Sequence, residues 1–321
     1  MKLITHIVRF LVGALFIFSG FVKLVDPIGS QFKFEEYFGE SVLNMEFLIP
    51  FALGFSILLI IAEILLGVLI LLGYKSKLTV WSLLLLTSFF LFLTWYSAYY
   101  NKVTDCGCFG DAITLTPWET FYKNIILIGM ILFLLIRIKE IKPLFSDKVS
   151  KIITYLSLAS FLYITYYVLL HLPIIDFRPY AIGKNIPEGM QYKESGEIPK
   201  IHDFFLEDAQ NDLTNDILSE EKVILVIVYS LDKADLNGFK SVKKVAERAL
   251  KKGYSVYGVS ASFSDELVLA KEKYNLPFDF LFCDATTLKT MIRSNPGIII
   301  LEKGTVTGKW SWTDADQIKL H

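Results

Sequence analysis

The chain has 321 residues, of which 53% are hydrophobic and 15% aromatic, and its formal net charge at pH 7 is −1. A mean hydropathy of +0.48 is too high for one soluble domain of this length. The balanced charge and the lack of a basic stripe exclude nucleic acid as an expected partner. The 3 cysteines are too few for a disulfide framework, and the 4 histidines lack metal-ligand spacing, so we expect no metal.

Apolar stretches that approach the ~20 residues needed to cross a bilayer as helix occur before residue 176. They cover residues 3–25, 47–72, 78–100, 121–136 and 152–175. The first stretch lacks a small-residue cleavage site and contains Arg9 and Lys23, so we interpret it as a retained span rather than a signal peptide. After it, "FKFEEYFGES" is typical of a short amphipathic segment at the membrane surface.

Basic residues concentrate in the loops that alternating spans place on the side of the N-terminus. These residues are Lys75, Lys77, Arg137, Lys139, Lys142, Lys148 and Lys151. The opposite loops are mainly acidic, so the positive-inside rule predicts a cytoplasmic N-terminus. An odd number of spans then places the C-terminal part in the periplasm. We therefore predict a multi-pass protein of the bacterial inner membrane, with the lipid bilayer as its first partner.

Ionisable residues within or beside the spans are costly in hydrocarbon and are candidate functional groups. Glu63 lies near the middle of the second span and requires a proton or a cationic partner, for which Lys23 and Arg9 are the candidates. It could serve as a structural hydrogen-bonding group, transfer protons or contact a polar ligand group. Lys23 could instead extend to the outer interface. Asp26, followed by proline, ends the first helix.

The segment "TDCGCFGD", residues 104–111, places Cys106 and Cys108 on the predicted outer side, where disulfides persist. A disulfide between them would close a tight, strained ring, which Gly107 permits because glycine accepts positive φ. Strained disulfides belong to the more easily reduced group. The neighbouring Asp105 disfavours thiolate formation. Two alternatives follow: a redox-active pair, or a structural pin for the loop.

The C-terminal part alternates strand and helix patterns after a predicted linker at residues 181–199. "VILVIVYS" is an apolar β-branched run typical of a buried parallel strand. Further strands are predicted at "YSVYGVS" and "FDFLFCD", with helical patterns between them, and "GIIILEKGTVTGKW" is a hairpin that turns at Lys303-Gly304. This pattern predicts an α/β sandwich.

The order of these elements resembles a thioredoxin-like domain, in particular the peroxiredoxin-related branch. Asn295-Pro296 matches the cis-proline of that fold, so Pro296 is the cis-proline candidate. The resemblance implies an active cysteine just after the first central strand, but "YSLDKADL", residues 229–236, has none. Without a thiolate this site cannot exchange disulfides, so we expect the domain to bind or scaffold a partner. Cys283 is either a buried apolar residue or a third thiol able to pair with Cys106 or Cys108.

The segments "SGFVKLVDP", "AEILLGVLILLG", "DCGCFGD" and "TPWETFYKN" together resemble the DoxX-like superfamily, including its MauE branch. The resemblance implies a four-helix membrane bundle over residues 1–138. It also implies outer-face redox chemistry: quinone-linked sulfur oxidation and thiol stress in DoxX relatives, and maturation of disulfide-rich partners in MauE. The predicted fold class is this DoxX-like bundle plus one extra span, then a thioredoxin-like domain. The predicted domains are residues 1–138, 139–180 (cytoplasmic loop and fifth span), 181–199 (linker) and 200–321.

Three functions remain open from the sequence. The Cys106–Cys108 pair could exchange electrons with a membrane quinone, the one cofactor considered, or help to mature partner proteins. The chain could instead be a non-catalytic accessory whose outer domain holds a periplasmic protein partner. The bundle could also move a small solute or protons around Glu63. Whether the chain is an enzyme therefore rests on the cysteine pair.

Overall fold

The computed structural model describes residues 2–103, 105–192, 199–262 and 264–321. The chain divides into two compact units, Met1–Leu169 and Leu170–His321. Thr104 of the cysteine segment and residues 193–198 of the predicted linker lie outside the described residues. The finer domain boundaries given above stay a prediction.

The first unit consists of helices that follow the hydropathy pattern. They are α1 Lys2–Val25, α2 Pro27–Phe38, α3 Ala52–Leu72, α4 Ser76–Tyr100, α5 Pro117–Ile136 and α6 Asp147–Leu170. Among the described residues, 5 helices are long and apolar enough to cross a membrane, and α2 does not belong to this set. The predicted multi-span membrane bundle is therefore confirmed.

Four of the spanning helices share one apolar core. Its fully buried members include Val12 of α1, Ile70 of α3, Leu83 of α4 and Ile131 of α5. Helix α6 is mostly exposed, and its contact with the bundle is through side chains such as Phe161, which pack beside the core cluster of α1 and α3. The observed arrangement is four helices around one core and a fifth helix against its outside.

Glycines bring α1 and α3 unusually close together. A Cβ atom added at Gly20 would lie 2.7 Å from the Ile64 Cβ, and one added at Gly67 would lie 2.9 Å from the Ile17 backbone nitrogen. Both distances are shorter than non-bonded contacts allow, so a larger residue would push the two helices apart. Small residues at such crossings are the usual way in which membrane helices approach closely.

The fifth span is shorter than its hydropathy predicts. Helix α6 ends at Leu170, whereas the apolar stretch continues to residue 175. Pro173 explains the difference, because proline has no backbone N–H and disfavours helical geometry at the residue before it, Leu172. In addition, the His171 Nδ1 lies 2.8 Å from the Asp314 carboxylate, a polar contact made beyond the helix.

The second unit contains a five-stranded sheet in the order β3-β2-β1-β4-β5. The strands are β1 Val223–Val228, β2 Ser255–Ser260, β3 Phe280–Phe282, β4 Gly297–Glu302 and β5 Thr305–Ser311. Strands β1, β2 and β3 are parallel, while β4 runs antiparallel to both β1 and β5. The helices are α7 Ile186–Gly189, α8 Thr214–Ser219, α9 Gly238–Leu250, α10 Ser264–Tyr274 and α11 Ala285–Met291.

Strand β1 explains why its sequence is apolar without alternation. Val223, Leu225 and Ile227 point into one core, and the residues between them point into a second core on the other face of the sheet. Helix α9 covers that second face through side chains such as Val242. With both faces covered, every position of the strand is buried. The predicted α/β fold of this part is therefore confirmed.

Part of the predicted linker has regular contacts with the sheet. The Gly183 backbone N–H donates to the Val306 carbonyl at 2.7 Å, and the Ile186 N–H donates to the Gly304 carbonyl at 2.8 Å. Ile186 is itself completely buried. Strand β5 lies at the edge of the sheet, and this segment satisfies backbone groups that the edge would otherwise leave unpaired.

Candidate functional site

A mostly apolar pocket lies where the cysteine segment meets the helices of the first unit. Its empty volume is about 550 Å³, counting its open side. Helices α1, α2, α3 and α4 contribute to the walls, and the Cys106–Cys108 segment closes one part of them. The lining residues are Lys23, Ser30, Lys33, Phe34, Tyr37, Leu59, Phe89, Phe90, Leu93, Thr94, Cys106, Gly107 and Cys108. Three residues singled out from the sequence, Lys23, Cys106 and Cys108, therefore share one cavity.

Glu63 pairs with Lys23. Their side chains form an ion pair between α3 and α1, and each is only 5% exposed. The Lys23 ammonium also lies 5.6 Å from the centre of the Phe90 ring. The close α1–α3 approach at Gly20 brings the two charged residues within reach of each other. A buried charge requires a partner of opposite sign, and this pair supplies it inside the bundle.

Arg9, the other candidate partner of Glu63, has a different position. Its guanidinium donates to the carbonyl oxygens of Ile70 (2.7 Å), Leu71 and Lys142 (3.1 Å). The bonds to Ile70 and Leu71 satisfy carbonyl groups at the C-terminal end of α3, where no further helical turn supplies N–H donors, and the third bond reaches the loop that follows α5. Arg9 thus stabilises the opposite end of α1 from Lys23.

Asp26 caps helix α2. Its side chain accepts a 3.0 Å hydrogen bond from the Gly29 backbone N–H, and Pro27 occupies the first helical turn. Aspartate is a favoured N-cap residue because its carboxylate satisfies an N–H group that lacks an intrahelical partner. It does not line the pocket. This capping fixes where α2 turns back towards the cysteine segment.

Helix α2 contributes one face to the pocket, and this contribution was missed by sequence reasoning. The lining residues Ser30, Lys33, Phe34 and Tyr37 are spaced as one stripe of a helix. The spacing is visible in the sequence, but there it predicts a segment that lies at the membrane surface. An interfacial helix and a pocket wall have the same amphipathic pattern, so the pattern does not separate them.

Polar contacts hold the cysteine segment against α1 and α2. The Ser19 hydroxyl of α1 donates to the Cys108 carbonyl at 2.7 Å. The Lys33 ammonium of α2 donates to Asp105 at 2.8 Å, and the other Asp105 oxygen accepts the Gly107 N–H at 2.9 Å. Burial lowers the pKa of Lys33, but the carboxylates of Asp105 and Glu36 raise it more, so its net pKa is raised and the ammonium keeps its charge.

The conformation of the cysteine segment depends on Gly107. Its φ is +62°, and a Cβ atom there would lie 2.9 Å from the Lys33 Cγ. The left-handed region is unfavourable for residues with a Cβ atom, so glycine meets both requirements. This turn directs the side chains of Cys106 and Cys108 to the same pocket.

The two cysteines have different environments, and both are thiols. Cys106 is buried whereas Cys108 is half-buried. Burial, and then the neighbouring Cys108, raise the pKa of Cys106 to about 11, although hydrogen bonds with Thr120 and Tyr37 act in the opposite direction. A thiol with a raised pKa is protonated at neutral pH and is a poor nucleophile. Cys106 is therefore the less reactive thiol, and the half-buried Cys108 is the more accessible one.

The second unit places the loop "YSLDKADL" against Pro296. The Asn295–Pro296 bond is cis, at the position where the thioredoxin-like resemblance implies one. The Asn295 side-chain amide donates to the Ser230 carbonyl at 2.7 Å, and the Asp235 N–H donates to the Asn295 carbonyl at 2.9 Å. The elements of a thioredoxin-like site are thus present, but the loop carries no cysteine.

Cys283 is completely buried in the core of the second unit. Its backbone N–H donates to the Ser260 carbonyl at 3.1 Å, and burial raises the pKa of its thiol to about 11. In this position it packs as a small apolar residue, and pairing with another thiol would require the core to open. Among the described residues, no group of three or more His, Cys, Asp or Glu side chains could hold a metal ion.

Comparisons with known proteins show what parts of this chain are similar to. Residues 1–137 match the family described as methylamine utilisation protein MauE. "Protein TlpB" of Flavobacterium psychrophilum is 31% identical over 140 residues, which cover 40% of this chain and 35% of the relative. This chain therefore spans about a third of the length of that relative.

One solved structure is also similar, the crystal structure of an uncharacterized conserved protein from Geobacillus kaustophilus. It is 13% identical, with a TM-score of 0.28, and the match covers 40% of this chain and 68% of that chain. A likeness this weak carries no argument about function. The predicted relation to DoxX stays a prediction. The family match confirms the predicted resemblance to MauE. Over residues 1–137 this membrane protein is similar to that family.

Proposed function

We propose that this protein transfers electrons between thiols on the outer face of the membrane and a membrane-soluble quinone. In the reaction, Cys106 and Cys108 give up two electrons and two protons and form one disulfide, and a quinone becomes a quinol. A reduced protein partner on the outer side then receives the disulfide by thiol–disulfide exchange and restores the two thiols. The net result is the formation of disulfides in partner proteins, a maturation role.

The observation that carries the proposal is the shared cavity. Both cysteines line a mostly apolar pocket between membrane helices, and its wall includes the ammonium of Lys23. Ligand sites are typically apolar cavities with a few placed polar groups, and this cavity has that composition. An apolar ring with carbonyl oxygens fits such walls. The residues present are therefore suited to a quinone, and the thiols lie where one would bind.

The different exposure of the two cysteines supports a division of roles between them in the exchange with the partner. The half-buried Cys108 is the thiol that an outer-side partner can reach, while Cys106 is buried beside Tyr37 and Thr120. When the partner's thiolate attacks Cys108 of the disulfide, Cys106 is released as a thiol, and the partner's second thiol then displaces Cys108 and carries the disulfide away.

The test uses the full chain in lipid nanodiscs, reduced and then freed of reductant. Ubiquinone-1 is added, and the remaining thiols are counted by gel shift with a polyethylene glycol maleimide. We expect wild type and the control Cys283→Ala to lose two reactive thiols per chain, while Cys106→Ser and Cys108→Ser leave the quinone unreduced. If both serine variants reduce ubiquinone-1 at the wild-type rate, the proposal is wrong.

A second function is supported by the cysteine-free loop beside Pro296 in the second unit. The loop is held by Asn295 and presents no thiol, so the unit would bind a partner without reacting with it. We propose that it recruits the protein that the membrane unit oxidises. Replacing residues 229–236 with a Gly/Ser loop of equal length should abolish co-purification of that partner. An unchanged set of co-purified proteins would contradict this role.

A further inference from the structure

The Lys23–Glu63 ion pair borders the same pocket as the two thiols, although neither charge is needed to form a disulfide. Lys23 is 5% exposed and lines the pocket, and Glu63 holds its ammonium from the side of α3. The cost of burying two charges in a membrane bundle is rarely recovered by their mutual attraction alone. A role in binding a ligand would explain why the pair is there.

The ammonium of Lys23 has unused hydrogen-bonding capacity. It carries three N–H donors, and within the described part of the chain its contacts are the ion pair with Glu63 and the face of the Phe90 ring. A buried donor without an acceptor is unfavourable. An oxygen atom entering the pocket would therefore gain a charge-assisted hydrogen bond.

The remaining walls define what kind of molecule carries that oxygen. Phe34, Leu59, Phe89, Phe90 and Leu93 line the pocket, so the body of the ligand is apolar and of ring or isoprenoid type. A small polar solute would lose its hydration against these apolar walls, whereas a quinone matches both the apolar walls and the Lys23 ammonium; the other lining ammonium, Lys33, already pairs with Asp105 and Glu36.

We propose that Lys23 is the residue that binds the quinone, by donating a hydrogen bond to a ring carbonyl oxygen, and that Glu63 is a positioning residue that holds the ammonium towards the pocket. This inference rests on the proposed electron transfer and names the group that recognises the acceptor. Lys23 also stabilises the negative charge that grows on that oxygen as electrons arrive. The two protons of the quinol come from the two thiols, so Lys23 begins and ends the cycle as an ammonium.

The experiment measures binding directly, in the double variant Cys106→Ser/Cys108→Ser, in which no electron transfer occurs. A photoreactive azidoquinone is cross-linked to the full chain in nanodiscs, the labelled peptide is mapped by mass spectrometry, and Kd is taken from competition by ubiquinone-1. We expect labelling within α4 around Phe89 and Phe90. Adding Lys23→Met and Glu63→Gln together should raise Kd about 10- to 100-fold, the value of one charge-assisted hydrogen bond.

The choice of the paired substitution and one further control variant keeps the test decisive. The paired substitution avoids leaving the Glu63 carboxylate buried and alone, a change that could prevent folding. Lys123→Met removes an ammonium that lies over Phe109 and outside the pocket, and it should leave Kd unchanged. Circular dichroism and size-exclusion elution must match wild type in both variants.

An unchanged Kd in the folded Lys23→Met/Glu63→Gln background overturns the inference. Displacement of the azidoquinone by phosphatidylglycerol but not by ubiquinone-1 also overturns it, because the site would then be one for a lipid phosphate. The proposed function fails separately: if serine variants of the cysteines still reduce quinone, electron transfer does not use the thiols, whatever the effect of Lys23 on binding.

Discussion

The Ser19 hydroxyl donates a 2.7 Å hydrogen bond to the carbonyl oxygen of Cys108. This bond joins the first membrane helix to the cysteine segment, which is far from it in the sequence. Its partner groups are partly buried, where a hydrogen bond is stronger than in water. Together with the Lys33–Asp105 contact, it fixes where the thiols lie relative to the pocket.

Removing the Ser19 hydroxyl should loosen the cysteine segment. We expect Ser19→Ala to lower the free energy of unfolding of the first unit by about 1 kcal/mol, the usual net value of one hydrogen bond. The labelling of Cys108 by a water-soluble maleimide should also become faster. Ser150→Ala is the matched control, since Ser150 is buried and its hydroxyl has no hydrogen-bond partner within the described residues. Equal labelling rates in the two variants would contradict the role of this bond.

The two pocket thiols should react at very different rates. In chains that retain one cysteine, Cys108 should be labelled by a water-soluble maleimide much faster than Cys106. Burial raises the pKa of Cys106 from 9.0 to about 11, two units, so its thiolate fraction near neutral pH falls about 100-fold. Its rate should therefore rise about tenfold per pH unit until the pH nears that value.

The buried Cys283 provides the control for this measurement. Burial also raises the pKa of its thiol to about 11, and it lies in the other unit. Labelling of Cys283 should be slow in the folded chain and fast after denaturation. Faster labelling of Cys106 than of Cys108 would contradict the predicted difference in reactivity between the two pocket thiols.

The two carboxylates that contact Lys33 should differ in their effect on the Gly107 turn and on quinone reduction. Asp105 accepts from both Lys33 and the Gly107 backbone N–H, whereas Glu36 contacts Lys33 at 2.9 Å within α2 itself. Asp105→Asn should loosen the Gly107 turn and slow quinone reduction, with a stability loss under about 1 kcal/mol because the ion pair is partly exposed. Glu36→Gln should leave the rate near wild type. Equal effects would show that the charge of Lys33, and not the turn, is what matters.

A buried lysine in the second unit should make the stability of that unit depend on pH in a distinctive way. The Lys309 ammonium donates to Asp176 at 2.6 Å and to the Tyr180 carbonyl at 3.2 Å. Burial, followed by the charge of Arg178, lowers the pKa of Lys309 from 10.5 to about 8. Between these values the unfolded chain holds a proton that the folded chain has lost, so stability rises with pH across this window.

Hydrogen exchange of the β4–β5 peptide in the full chain measures this effect. The free energy of opening should increase by at most about 3 kcal/mol from pH 8 to pH 10.5 in wild type, at 1.36 kcal/mol per unit. Lys309→Met should abolish the increase, while Lys240→Met, at an exposed position of α9, should preserve it. A flat profile in wild type would contradict the lowered pKa.

The membrane spans and strands could be predicted from the sequence because each depends on local pattern. Apolar length identifies a span, and the uninterrupted β-branched run of β1 identifies a strand covered on both faces. The chemical candidates Cys106, Cys108, Lys23 and Glu63 were recognisable because each is costly or unusual in its place. The family match over residues 1–137 agrees with the resemblance inferred from four short segments.

The assembly of the site depended on contacts between distant helices, which local patterns do not specify. Glu63 could have paired with Lys23 or Arg9, and the choice followed from where the glycines of α1 and α3 meet. Tyr37 reached Cys106 because α2 folds back over the cysteine segment. The fifth span ended early because a proline overrode apolar length.

The glycine contacts between α1 and α3 also limit how the first unit can change during evolution. Gly13, Gly20 and Gly67 allow one relative register of the two helices, and in that register Lys23 lies opposite Glu63. An insertion or deletion of one residue between Gly20 and Lys23 would rotate the ammonium about 100° around the helix axis and out of the pocket. The spacing from Gly20 to Lys23 is therefore as strict a requirement as the identity of either residue.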